Sequence, residues 1–233
     1  SPPARIIRAM APAVSDGPCA GIIGSQSHTP PDFAAFANGV MARYLDFNDT
    51  YLSKEPAHPS DNIPAALACA EAAGASGAEF ITAVVAAYEV QCALCDAASL
   101  RAKGWDHVTY GSFSATVAAS MLLRLSHEET LNALGIAGVA SPALRQTRAG
   151  ELSMWKGCAF ANTARNAVFA ALLAKNGITG PAPVFEGEFG FFNLVSGAFD
   201  LPAFEAGRSK GFKILETYMK YYPAEYHAQS AIE

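Results

Sequence analysis

An all-α fold is predicted by three features of this chain. Apolar residues recur at helical spacing along most of its length, cap and stop signals divide that pattern into helix-sized segments, and alternating β-branched runs are almost absent. Of 233 residues, 51% are hydrophobic and 16% charged, enough apolar surface for a well-buried globular core. That length suits one large domain or two small ones.

The elements follow in order. Thr29-Pro30-Pro31 opens a segment in which Phe33, Phe36, Val40 and Leu45 keep helical spacing, with proline suited to the first turn. Ser60 is placed to cap a helix over Asp61 to Ala73, closed by Gly74. Ser76-Gly-Ala-Glu79 has capping-box spacing and leads into a long apolar helix up to about Ala98. Ser112 to Leu125 reads as another. Ser126-His-Glu-Glu129 repeats the box and starts a helix to about Val139. Met154 to Asn176 is the longest amphipathic stretch, with Gly177 placed to end it. Abundant alanine allows short distances between helix axes. After Gly180, Pro181-Ala-Pro183 and Phe185-Glu-Gly-Glu-Phe-Gly190-Phe-Phe form a loop with aromatic anchors, either bordering a cleft or pinned to the surface. Gly211-Phe-Lys-Ile-Leu-Glu begins a new unit. The stretch from Tyr226 reads as a helix start without a stop, so a fragment of a longer protein is expected.

Composition excludes several classes. The net charge of −5 and pI near 5.5 leave no basic footprint for nucleic acid. The most apolar segment, Ile81 to Cys95, is interrupted by Glu89 and Gln91 and reads as a buried helix, so no membrane partner is expected. Five dispersed cysteines point to reduced thiols in a cytoplasmic protein. Cys92-Ala-Leu-Cys95 has the spacing of half a metal site, but it lies in a helical pattern without a second pair. Both are expected to be small core residues, unligated and unpaired.

Two polar stretches interrupt the apolar texture. One runs Asp46-Phe-Asn-Asp49-Thr50 and reaches His58-Pro-Ser-Asp61-Asn62 eight residues later; the other is Lys103-Gly-Trp-Asp106-His107-Val-Thr-Tyr110-Gly111. Connections of this kind present titratable groups to a shared cleft. Pro59 holds His58 out of helical geometry, which suits either a loop residue or a functional one. Asp106-His107 reads equally as a solvated loop. Asp46 and Asp49 would share a face if the helix continued, and close carboxylates push one pKa up; helix-end polarity with an Asx turn from Asn48 explains Asp49 as well. Lys156 opposes the macrodipole near a helix start, an arrangement that a substrate carboxylate would relieve. Arg145 and Arg148 either bind carboxylates or are solvated. His28 and His127 read as surface.

Five motifs resemble the MmgE/PrpD family, whose members include 2-methylcitrate dehydratase, cis-aconitate decarboxylase and iminodisuccinate epimerase: Asn38-Gly-Val-Met-Ala-Arg-Tyr-Leu-Asp46-Phe-Asn-Asp49-Thr50, His58-Pro-Ser-Asp-Asn62, Gly104-Trp-Asp-His107, Ser153-Met-Trp-Lys156-Gly, and Phe212-Lys-Ile-Leu with Lys220-Tyr-Tyr-Pro223-Ala-Glu225-Tyr-His227-Ala-Gln229. The resemblance implies a large helical domain over residues 1–205, the start of a smaller α+β lid over 206–233, and a homodimer through the helical part. Members are roughly twice this length, so further segments are expected on both sides. It also implies His58, His107 and Asp46 as active-site residues and Lys220 in the cleft; Lys156 joins the first three as a catalytic candidate, and Arg148, Asn62 and Tyr110 join Lys220 as candidates for substrate binding. The His58 and Glu225 motifs look like the methylcitrate dehydratase form; decarboxylases tend to have histidine where this chain has Glu225.

The reaction implied is loss of water from a tricarboxylic 2-hydroxy acid, giving 2-methyl-cis-aconitate. It needs a base for the α-proton, an acid for the departing hydroxyl and cations for the carboxylates. Iron–sulfur dehydration needs clustered thiolates, an arrangement these cysteines lack, so elimination without metal or other cofactor is expected. His58, with an ordinary pKa of about 6.5, is placed to take and give protons. Cis-aconitate decarboxylase and iminodisuccinate epimerase activities are alternatives within the family, and outside it a non-catalytic helical dimerisation scaffold is the competing reading. A scaffold gives no reason for His58, His107, Asp46 and Lys156 to converge.

Overall fold

The computed structural model describes residues 1–14, 16–201 and 211–232. The expected domain boundary at 205/206 lies outside the described residues. Helix α1 spans Pro2–Met10, with prolines in its first turn and the Ser1 hydroxyl accepting from the Ala4 N–H. A two-residue antiparallel pair follows, β1 (Ala20–Gly21) on β2 (His28–Thr29), with Ala20 opposite Thr29. Then come α2 (Pro31–Tyr44), α3 (Ile63–Ala73), α4 (Gly77–Ala97), α5 (Gly111–Leu122), α6 (His127–Ala140), α7 (Ala159–Lys175) and α8 (Gln229–Ile232). The described chain is thus helical, as its periodicity predicts.

Local chemistry sets most boundaries. Ser76 and Ser126 each complete a capping box, the hydroxyl accepting from the N3 backbone while Glu79 or Glu129 reaches back. Gly74 closes α3 in the left-handed region at φ 60°. Two expected starts are corrected. Residues Pro59–Asn62 form a 3₁₀ turn before α3, and Ser60 does not cap it, because the Asp49 carboxylate takes both its N–H and its hydroxyl. Residues Met154–Gly157 likewise form a 3₁₀ turn, so α7 starts only at Ala159 and Lys156 precedes it. Leu45, expected on the apolar face of α2, is exposed because the helix has ended at Tyr44.

Helix α5 is the centre of the bundle and packs on α3, α4, α6 and α7, while α2 lies along α7. Small residues permit this closeness. A Cβ on Gly39 would sit 2.9 Å from the Ala161 Cβ, and one on Gly111 would meet the Phe160 ring at 2.6 Å. Helix α4 is long and apolar enough to cross a membrane by length and composition, yet half of its apolar window is buried within the fold. Cys92 and Cys95 lie in a core cluster with Leu94, Leu100, Tyr110 and Phe113, and all five cysteines are free. Burial pushes the Cys69 thiol up to about 12.

The aromatic loop is pinned into this core. Phe185 stacks on Phe113 at 4.6 Å between centroids and Phe191 meets the same ring edge-on at 5.1 Å. Further along, Thr50 and Tyr218 exchange backbone hydrogen bonds of 3.0 and 2.8 Å, and Lys213 N–H donates to Glu89 on α4 at 2.6 Å. This strap lays Lys220 across the connection between α2 and α3.

Candidate active site

The α2–α3 connection carries the first half of the site. Arg43, in the last turn of α2, and Asp46 face each other across one helical step, Nη1 to Oδ1 at 2.6 Å. Asp46 adopts φ 52°, a left-handed conformation uncommon for a residue with a Cβ. The strap holds it there: Lys220 Nζ donates to the Asp46 carbonyl at 2.6 Å and to its carboxylate at 2.8 Å. Burial works to raise this carboxyl, but Arg43 and Lys220 outweigh it and keep it well below the ordinary carboxylate range. Asp46 and Asp49 do not share a helical face, since the helix stops before either.

Arg43 also donates to Asn48 Oδ1 at 3.2 Å, and Asn48 Nδ2 donates to Asp61 Oδ1 at 2.8 Å. The other Asp61 oxygen lies 3.6 Å from Arg43 Nε. Burial pushes Asp61 up to about 7 despite Arg43, so this carboxyl is only partly ionised near neutrality. Asp49 is raised by burial as well, against its bonds from Ser60 and Tyr88.

The two histidines come together beside this network, ring centroids 5.7 Å apart and edge to face. His58 Nδ1 is 2.6 Å from the Asp49 carbonyl, which can only accept, so Nδ1 carries the proton and Nε2 presents a lone pair. His107 Nδ1 is 3.0 Å from the carboxylate of Asp106. Burial would raise Asp106, but His107 and Arg148 hold it well below the ordinary range, so His107 also keeps its proton on Nδ1. Arg148 Nε closes that carboxylate at 2.8 Å. Burial, then the charge of Arg43 and of the neighbouring ring, lowers His58 well below an ordinary histidine. Burial also lowers His107, with Asp106 opposing. Both rings are therefore neutral near pH 7, unlike the ordinary histidine assumed for His58 from sequence.

Among the described residues, His107 Nε2, Arg148 Nη2 and Arg43 Nε are buried donor or acceptor atoms without a hydrogen-bond partner. Unpaired buried groups are costly; an anion placed among them would satisfy the two guanidinium N–H groups, whereas His107 Nε2, a lone pair in this tautomer, calls for a donor such as a hydroxyl. Lys156 shares an open cleft of about 270 Å³ with Arg43, Tyr44, Asp46, Leu152, Ser153, Met154 and Gly157. Thus His58, His107, Arg43 and Arg148 form one charge-coupled group; Arg43 and Asp46 also line the cleft of Lys156, while Lys220 is buried against Asp46.

Two expected residues fall elsewhere. Tyr110 is fully buried in the aromatic core and its hydroxyl donates to the Ala98 carbonyl at 2.8 Å. Asn62 is also fully buried, its amide donating to Pro59 and Gln91 and its oxygen accepting from Ser114. Neither side chain is free to contact a ligand. Glu225 and His227 are exposed, with Glu225 accepting from the His227 N–H of its own turn. His28 and His127 are exposed, as expected. Sequence reasoning overlooked Arg43, Asp61 and Tyr88 as site residues. The Arg43–Asp46 spacing was the one legible signal, a cation and a carboxylate one turn apart.

Comparison with known proteins places this geometry in context. Residues 1–203 match the model of the MmgE/PrpD N-terminal domain. The chain is 35% identical over 224 residues to the 2-methylcitrate dehydratase of Escherichia coli, covering 90% of this chain and 46% of that protein. It is 34% identical over 231 residues to the 2-methylcitrate dehydratase of Cupriavidus necator, covering 92% and 46%. A mitochondrial 2-methylcitrate dehydratase of Yarrowia lipolytica is 33% identical over 225 residues, covering 90% and 43%. The chain therefore spans about half the length of the curated relatives it matches.

Proposed function

The chain belongs to the MmgE/PrpD family, and on that premise we propose that its helical domain carries the catalytic side chains of a hydro-lyase of the 2-methylcitrate dehydratase type. One observation supports this most: two neutral imidazoles offer Nε2 lone pairs beside the buried guanidinium groups of Arg43 and Arg148. Proton abstraction next to a carboxylate needs that combination of base and cations.

His58 Nε2 takes the proton from the carbon α to a substrate carboxylate. The electron pair left behind forms the carbon–carbon double bond as the carbon–oxygen bond breaks, and the hydroxide departs with a proton from His107 to give water. His107 is neutral beforehand; the charges of a bound tricarboxylate favour its imidazolium form, so Nε2 takes up a proton from solvent as the substrate binds, with Asp106 supporting the cation, and gives that proton to the departing hydroxide. Arg148, Lys156 and Lys220 bind carboxylates. Asp46, held ionised, fixes Arg43 and Lys220 rather than moving a proton. Every proton transfer is assigned to side chains, without a metal. The reading includes a lid formed by residues after 205 and a homodimer through the helical domain, which sedimentation equilibrium would test.

The functional test is turnover of 2-methylcitrate by the full-length protein, followed by absorbance of the unsaturated product, against a panel of citrate-like acids and iminodisuccinate. Preferred loss of water from 2-methylcitrate is expected. Folded protein that dehydrates none of the acids would overturn the reading.

A further inference from the structure

Behind the histidine pair, Asp49 is bound more thoroughly than a loop carboxylate needs to be. Its Oδ1 accepts the Ser60 N–H at 3.0 Å and the Ser60 hydroxyl at 2.6 Å, and its Oδ2 accepts the Tyr88 hydroxyl at 2.8 Å. Its carbonyl accepts the His58 ring N–H at 2.6 Å. One residue thus grips both sides of Pro59, the ring before it and the turn after it. Tyr88 comes from the middle of α4, 39 positions away in sequence, and anchors the far side of this grip.

We propose that Asp49 and Tyr88 are positioning residues for the elimination: Asp49 fixes the His58 ring in the Nδ1–H tautomer with Nε2 toward the substrate, and Tyr88 acts through Asp49. This rests on the reading of His58 as the base. Three donors on one carboxylate leave Asp49 a single orientation, which fixes the direction of its peptide carbonyl. That carbonyl cannot donate, so the ring it faces must keep its proton on Nδ1 and its lone pair on Nε2. Tyr88 is 3% exposed and its hydroxyl is spent on Asp49, so it has no route to the substrate itself. A general base gains from a fixed tautomer because fewer rotations precede proton transfer.

Histidine nitrogen NMR on the isotope-labelled full-length protein tests this without reference to turnover, with the His58 signals assigned from their loss in His58→Gln. The neutral ring is expected in the Nδ1–H form in the wild type and as a tautomer mixture in Tyr88→Phe. Steady-state kinetics of Tyr88→Phe should show kcat roughly 10-fold lower, the scale of one lost hydrogen bond, with KM within about twofold. An Nε2–H wild-type ring would overturn the proposal, as would wild-type kcat per folded molecule in Tyr88→Phe. The wild-type tautomer measurement decides the proposal even if Tyr88→Phe fails to fold. Absence of wild-type turnover would remove the dehydratase reading but leave the tautomer result to decide the lock.

Discussion

Loss of His58 should separate activity from stability. The ring makes one hydrogen bond, to the Asp49 carbonyl, and meets His107 edge-on. His58→Ala therefore forfeits about 1 kcal/mol for the bond plus a small packing loss from a half-buried ring. That is a modest fraction of the roughly 5–15 kcal/mol by which domains are stable. Removing the base should be far more damaging to turnover, lowering kcat about 100-fold or more, or roughly 2.7 kcal/mol in the barrier. Ser60 and Tyr88 still hold Asp49 in the variant, so the loop is expected to keep its shape. The assay is steady-state turnover of 2-methylcitrate by the full-length variant, with circular dichroism and thermal unfolding to report the folded fraction. Near-normal kcat in a folded variant would refute the assignment and move the base to His107.

Lys156→Ala should raise KM for 2-methylcitrate about 10-fold with kcat little changed, since a cation at the cleft mouth binds ground and transition states alike; unchanged KM would remove Lys156 from substrate binding. Asp61 tests the electrostatics of the buried network. Its folded pKa is raised to about 7, so its contribution to stability is fully present below the unfolded value and is lost as pH rises through the folded one. Asp61→Asn lacks this loss, so its stability relative to wild type should improve between pH 5 and pH 8, read by urea unfolding at each pH. A difference that does not change with pH would show that Asp61 is ionised throughout. Ser126→Ala breaks one capping box and should cost about 1 kcal/mol in the same unfolding measurement without altering kcat.

The helix order was legible because capping boxes and left-handed stops are local chemistry, decided by residues three or four apart. Misreadings arose where a distant group intervened. Ser60 has the side chain and position of a cap, but Asp49, eleven residues earlier, captures its hydroxyl. The histidines and Asp46 stood out because they interrupt apolar texture before or between helices. Arg43 and Tyr88 did not, since each sits inside a helical pattern and acquires its role only when α2 and α4 bring it to the loop. Asn62 and Tyr110 mark the opposite error: polar atoms adjacent in sequence to site residues, turned inward to satisfy one another and the backbone. The pKa directions were not legible either, because they depend on burial and on charges from several elements at once.

The glycine and alanine contacts between helices also determine which sequence drift this fold tolerates. In most cores the harmful change is deletion of a bulky side chain, which leaves a void. Here α2 meets α7 through Gly39 and Ala161, and α5 meets α7 through Gly111 and the Phe160 ring, with no room for an added methyl. The hazardous mutation is therefore enlargement. One extra carbon at Gly39 or Gly111 forces whole helices apart, and because α2 carries Arg43 in its last turn and α5 follows directly on the turn of His107, the displacement reaches both halves of the catalytic group together. Descendants of such a chain should vary freely in their large surface side chains while their smallest residues stay fixed.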